Sequence, residues 1–565
     1  MYLKYFHKFA INKKYLNMKR LFTLLVILGF CFTVKAQVAP DKYWIQFTDK
    51  NNTPYSINKP EEFLSERAIQ RRQNYGIAID QYDIPVNASY LQAVAETGAT
   101  LLNPSKWLNG VTVEVSSQSV LQAIESLPFV QKTRVLKDDS YKQQLKKDSY
   151  FSDEFVQVAE EKIDVRSYYG YASPQIEQLN GVALHDLGYQ GQGMWVGICD
   201  AGFDYVDQHE AFQSMYNENR FLGAKDFVYK NGVVYTESSH GTSCLGLMAA
   251  NVPDKYVGTA PMASYFLCRT ENVNSENVIE EYNWVSAAEH LDSLGIDVIS
   301  TSLGYITFDD SQWDHVYSDL DGKTSVITIG SEIACSRGIL CITSAGNDGG
   351  NAFPYISVPA DGEHVLTIGA VGTNGERAYF SSIGPTYDGR VKPDVMAHGY
   401  GTTVVSPGMG AYYDGSGTSF ACPVLAGMAT CLWQAKKDYT PAEIRDALRQ
   451  SGSMSVPDNY YGYGIPDFMQ AFESLFLEEK NDFVINSLVS VYPNPSNGNV
   501  NIELEIEGKV EVKVFNQIGK LLYFNTISSD DKGGLDVFLS NLNEGMYFIN
   551  LIGDEKNVTS KFIKY

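Results

Sequence analysis

Apolar residues in this chain come as short unbroken runs separated by longer stretches of helical spacing. Met194 to Cys199 is one such run, bounded by Gly191 and Gly193 before it and Gly202 after it, which predicts a buried strand. Ile339 to Thr343 and Asp297 to Tyr305 read the same way. Between them, Val278 to Leu294 spaces Ile279, Trp284, Ala287, Ala288 and Leu291 ahead of Gly295, a helix pattern, and Glu332 to Arg337 leads similarly into the next strand. Strands alternating with helices predict an α/β domain whose parallel sheet is covered on both faces. Further on, Phe420, Val424, Leu425, Met428, Cys431 and Leu432 recur at helical spacing with Ala421, Gly427 and Ala429 between them. A helix apolar nearly all round belongs at the centre of such a fold.

Different patterns flank this region. Tyr43 to Phe47 alternates like a strand, Pro60 to Arg72 and Ala88 to Glu96 read as helices, Val111 to Val115 as a strand, Ser119 to Leu127 as a helix and Phe129 to Leu136 as a closing strand. That order predicts a small α+β domain. Lys137 to Arg166 is charged and has no core pattern, so it reads as a linker. After the acidic break Glu478 to Asp482, the turn-rich segment Tyr492 to Gly498 and the alternating runs Val510 to Phe515 and Gly545 to Phe548 predict a small β-sandwich.

A chain of 565 residues exceeds what one core serves, which agrees with several domains. Its formal charge of −23 argues against nucleic acid as a partner. Met18-Lys19-Arg20, the apolar stretch Leu21 to Val34 and then Lys35-Ala36-Gln37 predict a secretory leader cut after Ala36. Of eight cysteines, Cys31 falls in that leader, while Cys199, Cys244, Cys341, Cys422 and Cys431 sit in apolar runs and read as small buried hydrophobes. A Cys335 to Cys341 bridge is left open, and Cys and His show no metal-ligand spacing.

Three residues stand where chemistry could use them. Asp200 ends a predicted strand, at the carboxyl edge where open α/β sheets build sites. His240, in Ser238-Ser239-His240-Gly241-Thr242, opens a helix, and Ser419, in Gly417-Thr418-Ser419-Phe420-Ala421-Cys422-Pro423, opens another. A serine hydroxyl is a poor nucleophile unless an imidazole takes its proton, and a carboxylate must hold that imidazole in the right tautomer. Taken singly, each has a plainer role: a capping histidine, a Gly-Thr-Ser turn, an aspartate that forms a turn after a strand. Their order, and the element under each, favour the joint reading.

These segments, with Ser344-Ala345-Gly346-Asn347, resemble the subtilisin-like serine proteases. The resemblance implies a parallel-sheet subtilisin-like catalytic domain in which Asp200, His240 and Ser419 are catalytic and Asn347 is the side-chain half of the oxyanion hole. It also implies that Ser302, Leu303 and Gly304 line an extended peptide substrate, and that catalysis requires no cofactor. Structural calcium is common in the family, with no ligand set nameable here, and proline at position 423 is shared despite lying inside the predicted helix. The N-terminal domain resembles the ferredoxin-like inhibitory prodomain of subtilases, which would be a transient inhibitor. The C-terminal domain, with Pro493-Asn494-Pro495 and Lys561-Phe562-Ile563-Lys564, resembles the sorting domain read by the type IX secretion machinery. The expected layout is leader 1–36, prodomain 37–140, processing linker 141–170, catalytic domain 171–476, linker 477–485 and sorting domain 486–565. The expected product is an endopeptidase of proteins or peptides, exported through the periplasm to the medium or cell surface. The rival from another class is a secreted peptide-binding protein that kept the fold and lost turnover.

Overall fold

A computed structural model describes residues 42–137, 156–157, 168–406, 412–482, 489–497, 499–504, 509–516, 520–528, 534–552 and 557–565. The expected leader and most of the expected processing linker fall outside the described residues. Two compact units, divided after Phe472, are taken in turn.

The first unit begins with β1 (Lys42–Phe47), α1 (Glu66–Asn74), α2 (Ala88–Glu96), β2 (Thr100–Ser105), β3 (Gly110–Glu114), α3 (Gln118–Glu125) and β4 (Val130–Lys137). The sheet runs β2-β3-β1-β4 with every adjacent pair antiparallel, the ferredoxin-like order. Tyr43, Ile45, Phe47, Val111 and Val113 form its core. Two sequence expectations need correction. Pro60 to Arg72 is not one helix: a single 3-10 turn, Pro60–Glu62, ends before α1, which starts afresh where the Ser65 side chain accepts from the Ala68 amide. β2 escaped notice because Asn103 and Pro104 interrupt its alternation, which an edge strand tolerates.

The rest of the first unit is built on β5 (Trp195–Asp200), β6 (Phe221–Asp226), α4 (His240–Ala249), β7 (Ser264–Arg269), α5 (Ile279–Leu294), β8 (Val298–Thr301), α6 (Val326–Ser336), β9 (Leu340–Ser344), β10 (Leu366–Val371), β11 (Val395–His398) and α7 (Thr418–Ala435). Seven strands form one parallel sheet in the order β11-β10-β9-β8-β5-β7-β6. Every residue of α7 from Thr418 to Trp433 is buried, as a helix apolar on all sides requires. The seven cysteines from Cys199 to Cys431 are free thiols, so Cys335 and Cys341 are not bridged.

The ferredoxin-like domain docks on α5 through buried charge. Asp292 accepts from Arg71 at 2.6 Å, Arg72 at 2.9 Å and Lys106 at 3.1 Å, and no part of its side chain reaches solvent. One turn earlier, Glu289 accepts the main-chain amides of Lys106 at 2.7 Å and Trp107 at 3.1 Å, and the Ser105 hydroxyl. The three cations outweigh the burial that would otherwise raise it, and they hold the Asp292 carboxyl down at about 2.

The second unit is a sandwich of β12 (Val489–Tyr492), β13 (Asn499–Leu504) and β16 (Gly534–Phe538) against β14 (Lys509–Asn516), β15 (Leu521–Ser528), β17 (Gly545–Ile552) and β18 (Asn557–Lys564). Val510, Val512 and Val514 of β14, with Ile549 and Leu551 of the neighbouring β17, pack in its core with Val500, Ile502, Leu535 and Val537 of the other sheet.

Candidate active site

Parallel register places the site residues along one edge. Arg269, Asp200 and Ser344 end β7, β5 and β9, and Ser302 follows Thr301, the last residue of β8. These are the carboxyl ends of four adjacent strands, where the fold leaves helix N-termini and loops free to carry chemistry.

Asp200 and His240 are joined by close backbone packing. A Cβ on Gly241 would lie 2.4 Å from the Gly202 carbonyl oxygen, so only glycine can follow the histidine there. The Thr242 hydroxyl donates to the Asp204 carbonyl at 2.8 Å, stitching the first turn of α4 to the loop after Asp200. The result is a His240 Nδ1 to Asp200 Oδ1 hydrogen bond of 2.8 Å, with both side chains buried. Asp200 Oδ1 also accepts the Ala201 amide at 2.7 Å. Burial opposes a charged imidazole, yet the Asp200 carboxylate and the Cys244 sulfur outweigh it and hold His240 well above its ordinary 6.5.

Ser419 is held from below. Pro423 is the sixth residue of α7 and lacks the N–H that would bond the carbonyl four residues earlier, which is that of Ser419. Two side chains take up the vacated acceptor: the Ser302 hydroxyl at 2.8 Å and the Cys244 thiol at 3.5 Å. The consequence of the proline expected inside this helix thus lands on the Ser419 carbonyl. The Ser419 hydroxyl itself donates to the Ser302 carbonyl at 3.2 Å. The His240 and Phe420 rings lie 6.0 Å apart, and Cys244 Sγ, which bonds the Ser419 carbonyl, sits 3.8 Å from His240 Nδ1, so Cys244 touches both residues.

Asn347 presents its amide in a fixed sense. Its Oδ1 accepts the Thr418 amide and the Thr418 hydroxyl, each at 2.9 Å. Nδ2 is turned away and makes no hydrogen bond among the described residues. Ser302 and Leu303 are buried and Gly304 half-buried, and the Ser302 side chain is turned inward to Ser419. The sequence points to Ser302 only as a substrate contact and to Cys244 only as a small buried hydrophobe, and neither reading includes the contacts with Ser419 and His240. Spacing from Pro423 back to Ser419 was the available signal.

Glu271, Glu276 and Glu280 form an acidic group whose ligand atoms lie within 4.8 Å of one another. The Glu271 carboxylate accepts Thr270 Oγ1 at 2.6 Å and Tyr305 Oη at 2.7 Å, and Glu280 accepts the amides of Asn272 at 2.9 Å and Asn277 at 2.8 Å. Hydrogen-bond donors already occupy these oxygens, so the group fits a calcium ion poorly.

The fold and this arrangement define a subtilisin-type serine peptidase. The sequence pattern of the subtilase family matches residues 191–464, that of the peptidase S8 propeptide domain of Bacteroidota matches 42–150, and that of the secretion-system C-terminal sorting domain matches 490–565. Subtilisin NAT of Bacillus subtilis subsp. natto is 31% identical over 294 residues, covering 51% of this chain and 68% of that protein. Subtilisin of Bacillus pumilus is 30% identical over 294 residues, covering 51% of this chain and 94% of that protein. Serine protease AprX of Bacillus subtilis is 30% identical over 305 residues, covering 48% and 65%. The chain belongs to the subtilase family. It is a serine endopeptidase, made with a propeptide and exported on a type IX sorting tail, in a family whose catalysis needs no cofactor.

Proposed function

We propose that this exported protease cleaves peptide bonds with Ser419 as nucleophile, His240 as base and then acid, Asp200 as the group that orients it, and Asn347 as an oxyanion donor. The observation that carries the reading is the buried 2.8 Å bond from His240 Nδ1 to Asp200, which leaves Nε2 as the basic nitrogen of the ring. Rotation of the Ser419 hydroxyl away from the Ser302 carbonyl delivers its proton to Nε2 as Oγ bonds the substrate carbonyl carbon. The negative charge formed on the carbonyl oxygen meets Asn347 Nδ2 and the Ser419 N–H, a first-turn amide with no helical acceptor. Protonated His240 then gives its proton to the leaving amine. The main chain of Ser302, Leu303 and Gly304 pairs with the extended peptide, giving affinity through main-chain hydrogen bonds.

Residues 37–140 would act as a transient inhibitor, 141–170 as the processing segment, 171–476 as the protease and 486–565 as the address read by the secretion machinery. Ser419→Ala tests the chemistry: full peptide cleavage by this variant, in a preparation free of other proteases, would refute the assignment. A fluorophosphonate probe separates an enzyme from an inert peptide-binding scaffold, since only the former is labelled at Ser419. Deleting residues 486–565 should strand the protein in the periplasm, and undiminished export would refute the address.

A further inference from the structure

Arg269 ends β7 in register with Asp200, so in a parallel ladder both side chains leave the sheet on the same face, the face where Asp200 meets His240. Its guanidinium is fully buried, yet Nε, Nη1 and Nη2 have no hydrogen-bond partner. Among the described residues no carboxylate pairs with it. Asp204, whose carboxyl feels the Arg269 charge, makes no ion pair with it, and its own buried Oδ1 is likewise without a hydrogen-bond partner. A buried guanidinium without protein acceptors is a costly arrangement, because the group carries five donors and never loses its charge.

The surroundings define what could relieve it. The Tyr229 ring lies 4.6 Å from Arg269 Cζ, covering one face, and the Tyr229 hydroxyl is fixed to Asn272 Oδ1 at 2.8 Å. Stacking of this kind occupies the face of a guanidinium and leaves its in-plane N–H fork for a planar, two-oxygen acceptor. Tyr229 is itself nearly half exposed, so the fork lies one ring's thickness below the surface. Its loop is tied to the N-terminal domain: Asn103 Nδ2 donates to the Phe227 carbonyl at 2.7 Å and Lys230 Nζ to the Leu101 carbonyl at 3.4 Å. Those ties vanish when residues 42–137 depart.

We infer that Arg269, under Tyr229, is a specificity-determining residue that receives the carboxylate of an aspartate or glutamate close to the scissile bond of the peptide substrate. The inference rests on the proposed triad, and it adds a substrate class to that reading.

Positional scanning with the matured enzyme tests it. One position within a few residues of the cut should favour Asp and Glu over Asn and Gln, with a Glu-to-Gln ratio of kcat/KM on the order of tenfold, the size of one charge-assisted bidentate contact. In Arg269→Met that ratio should fall to about one, and in Arg269→Lys, which keeps charge and loses the fork, to an intermediate value. A wild-type profile with no acidic preference anywhere overturns the proposal, whatever the variants do. So does an unchanged ratio in Arg269→Met. If Arg269→Met does not fold, an unchanged ratio in Arg269→Lys overturns it instead. Fluorophosphonate labelling of Ser419 in the same samples reports separately on the catalytic assignment.

Discussion

The Ser302 hydroxyl donates to the Ser419 carbonyl at 2.8 Å, and the Ser419 hydroxyl donates to the Ser302 carbonyl at 3.2 Å. This reciprocal pair exists because Pro423 supplies no helical donor to Ser419. Removing the Ser302 hydroxyl exposes the consequence. Ser302→Ala is expected to lower kcat on the order of tenfold with little change in KM, because a buried carbonyl loses its main partner and the nucleophile's peptide loosens. Adding Pro423→Ala restores an N–H four residues on, and the double variant should recover much of the loss. Steady-state kinetics of the four proteins check this, and an independent, additive pair of effects would contradict it.

Asn347→Ala should lower kcat by about 10²–10³, or about 2.7–4 kcal/mol of barrier, while substrate affinity holds; the magnitude is the one measured for such a donor in subtilisin itself. An effect on KM alone would place Asn347 outside the oxyanion hole.

The pH dependence follows from His240. Its pKa is held well above 6.5 in the folded chain, so its pairing with Asp200 stabilises the fold fully below pH 6.5 and ceases to do so as pH rises through the raised value. Catalysis needs the neutral ring, so log(kcat/KM) should climb on the alkaline side of neutrality. Asp200→Asn removes a chief cause of the raised value. Its limb should move to lower pH while the plateau falls by roughly 10⁴.

Asp292→Ala leaves Arg71, Arg72 and Lys106 crowded together without their shared acceptor. Breaking a buried pair from one side costs about 3–5 kcal/mol, so the isolated N-terminal domain should inhibit this variant at least two orders of magnitude less tightly. The wild-type contact should survive acid well, because the stabilisation from Asp292 is complete above pH 3.8 and is lost only as pH falls through about 2. Inhibition titrations at pH 4 and pH 7 check both statements.

The α/β class, three of the seven sheet strands and the positions of Asp200, His240 and Ser419 were legible, the last because each lies where an apolar run changes character, at a strand's end or a helix's start. What joins them was partly hidden. The bond from Ser302 to Ser419 depends on a proline four residues beyond the serine, and Asp292 meets Arg72 across 220 residues, a distance no local pattern spans. Pro60 to Arg72 misled because one helix and a preceding turn share a continuous apolar spacing, and the cap at Ser65 was the cue that divides them. Arg269, the last residue of β7, gave no signal in the sequence pattern. Only its burial without acceptors sets it apart.

Glu289 and Asp292 on α5 are satisfied almost wholly by groups from the ferredoxin-like domain. When that domain leaves, both carboxylates regain water, and any return must strip that water away again. A domain severed from the protease would therefore return only across a desolvation barrier, which the tethered domain crosses within one molecule.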